Sequence, residues 1–255
     1  MEVFTALVLL ASLVGATNGK ISPRIAGGIP VDTFTRFPHH VTIFTQTDSG
    51  ASWHCSGSII TDQWILTSLG CVEGGSEFRL DFNRMRLNDS WGSYSAIVYK
   101  SAVVPYPTGF DDLALIKNPM KLVLSSKIQK ISLHQGGNDI GNNFAVMPGF
   151  STEDGTDKLT YGMFQIVSND RCENAYGSNF DKYLELCTFG WNNNRNVPCE
   201  ENKGGGLITG WPRNPQVIGV FSKSLNCSNP AVYVEVSKYL PWINSIIGVP
   251  TDIPS

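Results

Sequence analysis

The first candidate for chemistry is a lysine that stands beside two carboxylates. Lys203 follows Glu200 and Glu201 and precedes Gly204-Gly205. A lysine whose pKa is lowered by burial can act as a nucleophile, as it does in Schiff-base enzymes. Neighbouring carboxylates have the opposite effect, because they favour the charged ammonium. We therefore expect Lys203 to be a charged side chain, and an unconventional enzyme that uses it is the least favoured functional alternative.

The other candidates for chemistry are four histidines and six cysteines. His39, His40, His54 and His134 are too few for a histidine-rich metal site. No two cysteines form the CxxC pair that binds zinc or performs redox chemistry. We therefore predict no metal and no cofactor, and we expect each histidine to be an ordinary surface or barrel residue.

The first residues have the pattern of a secretory signal peptide. An apolar run from Val3 to Val14 ends at Gly15-Ala16, whose small side chains suit a cleavage site. The run is too short to cross a bilayer, which takes about 20 apolar residues. Glu2 is atypical, since a basic residue normally precedes such a run, and it leaves a buried N-terminal helix as the alternative. We predict a signal peptide at 1–16, secretion, and no membrane span.

Secretion changes the interpretation of the cysteines. In an oxidising compartment, an even set without metal-binding spacing is expected to form disulfides. The residues alone predict three bonds and leave their pairing open. The six residues are Cys55, Cys71, Cys172, Cys187, Cys199 and Cys227.

Composition and pattern predict an all-β protein of one or two domains. The 255 residues are 42% hydrophobic, and the net charge of -3 includes no basic block that would bind nucleic acid or a membrane surface. Short runs rich in β-branched and aromatic residues, such as His40–Phe44 and Ala231–Val234, are separated by turn residues. Their spacing favours antiparallel sandwiches or barrels. Helical periodicity over Tyr239–Ile247 predicts one amphipathic C-terminal helix.

A set of short segments follows an order that one enzyme family shares. The segments are Arg24–Gly28, Cys55–Ile60, Trp64–Cys71, Asp112–Ile116, Gly149-Phe150, Cys199–Leu207, and Pro230–Tyr233 ahead of Trp242-Ile243. In this order they resemble the trypsin-like serine proteases, the peptidase S1 family, from about residue 24 to about residue 247. The first segment resembles the activation junction of that family, and Cys199–Leu207 resembles its nucleophile loop.

The resemblance implies a chymotrypsin-like fold of two six-stranded antiparallel β-barrels, with a cleft between them and a C-terminal α-helix. It implies a short propeptide at 17–24 and a peptidase S1-like domain at 25–255. Within that domain the N-terminal barrel would span about 25–128 and the C-terminal barrel about 129–247. The resemblance also selects one disulfide pairing, namely Cys55 with Cys71, Cys172 with Cys187, and Cys199 with Cys227.

The family motifs place the three catalytic positions at Gly70, Asp112 and Lys203. Serine-protease chemistry needs a hydroxyl nucleophile, an imidazole that takes its proton and a carboxylate that orients the imidazole. Only the carboxylate remains, because glycine cannot accept a proton and lysine replaces the serine. An oxyanion-hole position holds Glu201 instead of glycine, and a side chain there disfavours the required backbone geometry. The sequence therefore predicts a pseudoenzyme.

The implied substrate pocket is altered as well. Its floor is Val197 in place of an acidic residue, so no charge would attract Arg or Lys. Its walls contain Ser222, Lys223 and Ser224 where the family has Ser-Trp-Gly, and Ala231 where it has a second glycine. Neutral drift in an unused cleft and a new ligand pocket both account for these replacements.

Two processing events can be predicted from the sequence. Cleavage after Arg24 would free the amino group of Ile25, which in the family pairs with an aspartate beside the nucleophile. Asn202 occupies that position and supplies no charge, so cleavage should stabilise the chain little. Asn88 and Asn226 each begin an N-glycosylation pattern. Asn226 is the poorer site, because it adjoins a predicted disulfide.

The favoured functional class is a secreted, non-catalytic binding protein. Inactive members of this family modulate proteolytic cascades in blood and haemolymph. Asp112–Lys117 and Pro119–Leu122 resemble group-3 mite allergens, and the whole pattern is similar to the inactivated protease paralogues that parasitic mites secrete and that interfere with host complement. We expect a monomer that binds a host plasma or cascade protein. A cofactor-type homologue in the producer's own immune cascade, and a storage or structural role, are the alternatives.

Overall fold

The computed structural model describes residues 25, 27–89, 94–109, 111–137, 144–151, 157–193 and 196–248. The predicted signal peptide, the propeptide and Arg24 lie outside these residues. Within them, no helix is both long enough and apolar enough to cross a membrane.

Short strands make up most of the regular structure. In chain order they are β1 (Ile29–Pro30), β2 (His40–Gln46), β3 (Ser52–Ile59), β4 (Trp64–Thr67), β5 (Glu77–Phe82), β6 (Tyr94–Tyr99), β7 (Val103–Pro105), β8 (Ala114–Lys117), β9 (Ser132–Leu133), β10 (Phe144–Ser151), β11 (Lys158–Val167), β12 (Glu185–Gly190), β13 (Gly206–Thr209), β14 (Gln216–Ser224) and β15 (Ala231–Glu235). The α-helices are α1 (Leu69–Val72), α2 (Asp170–Tyr176) and α3 (Leu240–Ile247), and the 3-10 turns are Lys100–Ala102, Gly177–Asn179, Trp191–Asn193, Glu200–Asn202 and Val236–Tyr239.

The first barrel is a sheet with the strand order β6-β5-β2-β3-β4-β8-β7. Its strand pairs are antiparallel. The two end strands, β6 and β7, follow each other in the chain and are separated only by the turn Lys100–Ala102. The sheet is therefore closed by one bent strand, which gives the six predicted strands with the sixth divided into two parts.

The second barrel closes through hydrogen bonds. Its main path is β1-β11-β10-β13-β14-β15-β12. An additional pairing between β11 and β12 closes the six strands from β11 to β12 into a ring. The two-residue strands β1 and β9 are additions to that ring. β1 lies within the range predicted for the N-terminal barrel, yet it pairs with β11 of the second. The predicted fold of two six-stranded barrels is confirmed.

The C-terminal helix is confirmed and packs against both barrels. Ile243 on α3 is completely buried, and Tyr239 just before the helix is nearly so. The ring of Tyr106, which follows β7 of the first barrel, meets the rings of Tyr239 and Trp242 edge-on at 4.9 and 5.2 Å. Aromatic pairs in this arrangement contribute about 1 kcal/mol each beyond the area they bury. The helix thus helps to fix the barrels on either side of the cleft.

Two of the three predicted disulfides are present. Cys172 is bonded to Cys187, and Cys199 is bonded to Cys227. The predicted bond between Cys55 and Cys71 is wrong for this structure, in which both are buried free thiols. Burial, together with the neighbouring thiol of Cys71, raises the pKa of Cys55 well above its usual value.

Candidate functional site

The three predicted catalytic positions converge in the cleft. Gly70 lies in α1, which the side chain of Ser68 caps by accepting the N–H of Cys71 at 3.2 Å. The N–H of Gly70 donates to Oδ1 of Asp112 at 2.7 Å. A Cβ atom built on Gly70 would lie 3.4 Å from that oxygen and 3.5 Å from Nζ of Lys203. The lysine ammonium therefore lies where a side chain at position 70 would meet the nucleophile.

Lys203 is held as a cation. Its Nζ lies 2.7 Å from Oε2 of Glu200, and its side chain is 28% exposed. Burial by itself lowers the pKa of Lys203, but the hydrogen bond to Glu200 and the charges of Glu200 and Asp112 outweigh it, so the pKa is raised above its usual value. The sequence-based expectation of a charged lysine agrees with this geometry.

The backbone around Glu201 forms a tight turn instead of an open oxyanion hole. The N–H of Asn202 donates to the carbonyl of Cys199 at 2.8 Å, and the N–H of Lys203 donates to the carbonyl of Glu200 at 3.0 Å. In the family, the N–H at position 203 would face the developing oxyanion. Here the carbonyl of Glu200 already accepts a hydrogen bond from that N–H, so the donor is engaged inside the protein.

The walls of the implied substrate pocket are joined by a hydrogen bond. Oγ of Ser224 donates to the carbonyl of Pro198 at 2.8 Å, which links the predicted wall to the segment of the predicted floor. Val197, Ser222 and Ala231 are buried. A substrate side chain would have to pass between these two segments, so the bond lies across the predicted entrance.

Lys223 strengthens the same wall from the outside. Its Nζ donates to Oε1 of Glu185 at 2.9 Å and to the carbonyl of Asn179 at 2.6 Å. The ammonium also lies 6.0 Å from the centre of the Tyr176 ring. Lys223 therefore ties β14 to β12 and to the turn after α2, and it contributes no free charge to the pocket.

Ile25 is already inserted into the second barrel, although it is part of a continuous chain. The residue is completely buried, and its backbone N–H donates to Oδ1 of Asn202 at 3.2 Å. The same oxygen accepts the N–H of Cys199 at 3.0 Å, and Nδ2 of Asn202 donates to the carbonyl of Phe150 at 3.3 Å. Gly149 leaves the necessary room, because a Cβ there would lie 2.8 Å from Cδ1 of Ile25. A neutral amide thus meets a neutral acceptor.

The histidines fall outside the catalytic position. His39 and His40 are buried, and burial lowers the pKa of His39 to about 3 and that of His40 to about 4. His54 lines a cleft cavity of about 320 Å³ beside Gly70 and Lys203. Nδ1 of His134 accepts the N–H of Gly136 at 3.2 Å. Among the described residues, no group of three His, Cys, Asp or Glu side chains is placed to hold a metal ion.

The two glycosylation candidates differ in their local geometry. Asn88 is exposed, and its Nδ2 donates to Oδ2 of Asp157 on the neighbouring loop. Asn226 is also exposed but has a φ of 51° and precedes Cys227, which has a φ of 58° and is part of a disulfide. Both side chains are exposed, and both stay predicted glycosylation sites.

Two closed barrels with these three positions converging in the cleft define a chymotrypsin-fold scaffold. The sequence model named Trypsin matches residues 26–243, and the chain belongs to the trypsin family. Relatives include chymotrypsin-like elastase family member 1 of Canis lupus familiaris, 28% identical over 90% of this chain and 94% of that protein. A trypsin of Xenopus laevis is 26% identical over 95% of this chain and 98% of that protein.

Solved structures share the fold. The HL collagenase structure has a TM-score of 0.77 at 23% identity and covers 88% of this chain and 99% of its own. The structure of GrC has a TM-score of 0.75 at 18% identity and covers 87% of this chain and 99% of its own. At these identities the likeness concerns the fold alone.

Proposed function

We propose that this protein is a secreted, catalytically inactive homologue of the trypsin-like serine proteases that acts by binding another protein. One observation carries the proposal. The nucleophile position holds the ammonium of Lys203, which is paired with Glu200 and lies against Gly70, where the imidazole would be. An ammonium has no lone pair with which to attack a carbonyl, and glycine offers no base to remove its proton.

The surroundings of Lys203 also argue against a lysine-based enzyme. A nucleophilic lysine needs a lowered pKa, whereas the pKa of Lys203 is raised by Glu200 and Asp112 against the effect of burial. Residual catalysis by the oxyanion hole would need a free N–H at position 203, and that N–H is bonded to Glu200. Secretion is proposed from the apolar segment at 1–16.

The proposed role is modulation of a proteolytic immune cascade such as host complement. It rests on the resemblance to the inactivated paralogues of parasitic mites, and the cofactor-type role in the producer's own cascade is the second candidate. We propose that the partner binds to the outer surface, because the bond between Ser224 and Pro198 leaves the former pocket without an entrance.

Incubation with a fluorogenic peptide library tests the absence of catalysis. Purified protein, intact and cleaved after Arg24, should release no fluorophore above a buffer blank at pH 6 to 9. The matched control is Lys203→Met, which keeps most of the side-chain volume and removes the charge. Turnover by the parent protein that Lys203→Met abolishes would overturn the proposal.

A haemolysis assay tests the proposed role. Dose-dependent inhibition of complement lysis in host plasma is expected, together with retention of a complement protein on the immobilised chain. Cleaved and intact protein should act alike. If the protein leaves host lysis unchanged and instead accelerates protease activation in the producer's own body fluid, the second candidate is correct.

A further inference from the structure

One open groove on the first barrel is apolar and lies away from the cleft. It has a volume of about 540 Å³ and runs between β6, the turn after it and the end of β8. Trp64, Ile97, Tyr99, Val104 and Pro119 are among the side chains that line it.

The strand alternation shows why this surface is unusual. Val98 of β6 points into the barrel and is 3% exposed, while its neighbours Ile97 and Tyr99 point outward and are 41% and 60% exposed. Outward positions of an antiparallel barrel are normally polar. Met120, directly after Pro119, is 67% exposed. Ile97 and Tyr99 are thus two large apolar side chains exposed on the same face of β6 and within the same groove. Clustered exposure of this kind marks interaction sites, whereas single exposed apolar residues do not.

A cation defines the chemistry of the groove. Lys117 is the one charged side chain among its described lining residues, and its Nζ lies 5.6 Å from the centre of the Trp64 ring. Within the described part of the chain, Lys117 forms no ion pair. A carboxylate that entered the groove would meet an exposed ammonium that already lies beside the apolar ring of Trp64.

We propose that this groove docks a partner protein through an extended segment that carries apolar side chains next to a carboxylate. Tyr99 and Trp64 are residue types that frequently dominate binding energy at protein interfaces. The inference rests on the proposed function, because it supplies the surface through which a non-catalytic homologue would act. It places that surface on the first barrel, away from Lys203 and from the former substrate pocket.

Chemical-shift mapping with two probe peptides tests the inference. The first probe is acetyl-Glu-Leu-Phe-Asp-amide, and the second replaces both acids with Gln and Asn. The acidic probe should shift the amides of β6 and of Lys117–Met120, with an affinity up to about fivefold above that of the neutral probe, which is the most that one exposed charge pair contributes.

Matched variants locate the effect. Lys117→Gln should weaken the acidic probe up to about fivefold, and Tyr99→Ala should weaken both probes about fivefold or more. Lys121→Gln and Tyr183→Ala should not, although Lys121 and Tyr183 are 74% and 72% exposed. Shifts outside the groove, equal shifts by both probes, or none at millimolar peptide would overturn the inference. Peptidase turnover would instead sink the proposed function and leave this titration unchanged, so the two failures can be told apart.

Discussion

Rebuilding the triad is the sharpest test of the proposed loss of catalysis. Gly70→His with Lys203→Ser removes the lysine atoms that lie 3.5 Å from a Cβ at position 70 and keeps Asp112 beside it at 3.4 Å. The imidazole, the hydroxyl and the carboxylate should then be in reach of one another. We nevertheless expect no peptide cleavage from this double variant.

The expected deficit follows from two hydrogen bonds. The bond from the N–H of residue 203 to the carbonyl of Glu200 withdraws one oxyanion donor, which costs about 10²- to 10³-fold in turnover, or about 3 kcal/mol. The bond from Ser224 to Pro198 blocks the side chain of a peptide substrate. Adding Glu201→Gly should release the first restraint, because glycine tolerates the backbone geometry of an open hole.

An activated ester separates the two defects, since p-nitrophenyl acetate needs no substrate pocket. The double variant should hydrolyse it slowly, and the triple variant with Glu201→Gly should do so about 10²-fold faster. Neither should cleave a peptide anilide until Ser224→Gly is added. Efficient peptide cleavage by the double variant, without further gain from Glu201→Gly, would refute the reasoning about the oxyanion turn and the pocket.

Two further predictions concern stability. Unfolded histidines take up protons near pH 6.5, but His39 and His40 are held neutral down to pH values of about 3 and 4. The free energy of unfolding should therefore be highest above about pH 7 and should decrease by about 2 kcal/mol per histidine by pH 5. Urea unfolding at the two pH values measures this difference, and an unchanged midpoint would contradict it. Cleavage after Arg24 should change the melting temperature little, whereas in Asn202→Asp it should raise it by several degrees, since only the cleaved form supplies an ammonium for the buried carboxylate. A scanning calorimeter distinguishes the four forms, and a large rise in the parent protein would show that another carboxylate pairs with Ile25.

Features encoded by local pattern could be predicted from the sequence. The short β-branched runs predicted antiparallel sandwiches or barrels, and the family resemblance selected two barrels. The spacing of Tyr239, Ile243 and Ile247 predicted the terminal helix. The family motifs supplied Gly70, Asp112 and Lys203, and the structure brings these three positions together. The pKa of Lys203 is raised by Glu200 and Asp112 against the effect of burial, which is the direction that the neighbouring carboxylates predict.

Contacts between distant segments escaped prediction. The bond from Ser224 to Pro198 joins residues 26 positions apart, and nothing in either residue type announces it. The Glu200–Asn202 turn depends on how the loop after Cys199 packs, and the hydrophobic periodicity of the sequence does not predict that packing. The pairing of Cys55 with Cys71 was inferred from family resemblance, whereas the structure has two adjacent thiols. Buried insertion of an uncleaved Ile25 likewise depends on the space beside Gly149.

The bond between Ser224 and Pro198 has a consequence for the binding of protease inhibitors. Such inhibitors present a rigid loop whose central side chain fills the substrate pocket and whose carbonyl points to the oxyanion donors. In this protein Ser224 and Pro198 are bonded across the pocket entrance, and the N–H of Lys203 donates to Glu200. We therefore expect such an inhibitor loop to bind weakly. We expect the protein to pass through immobilised benzamidine and to persist in inhibitor-rich fluids at full free concentration, where an active relative would be titrated away.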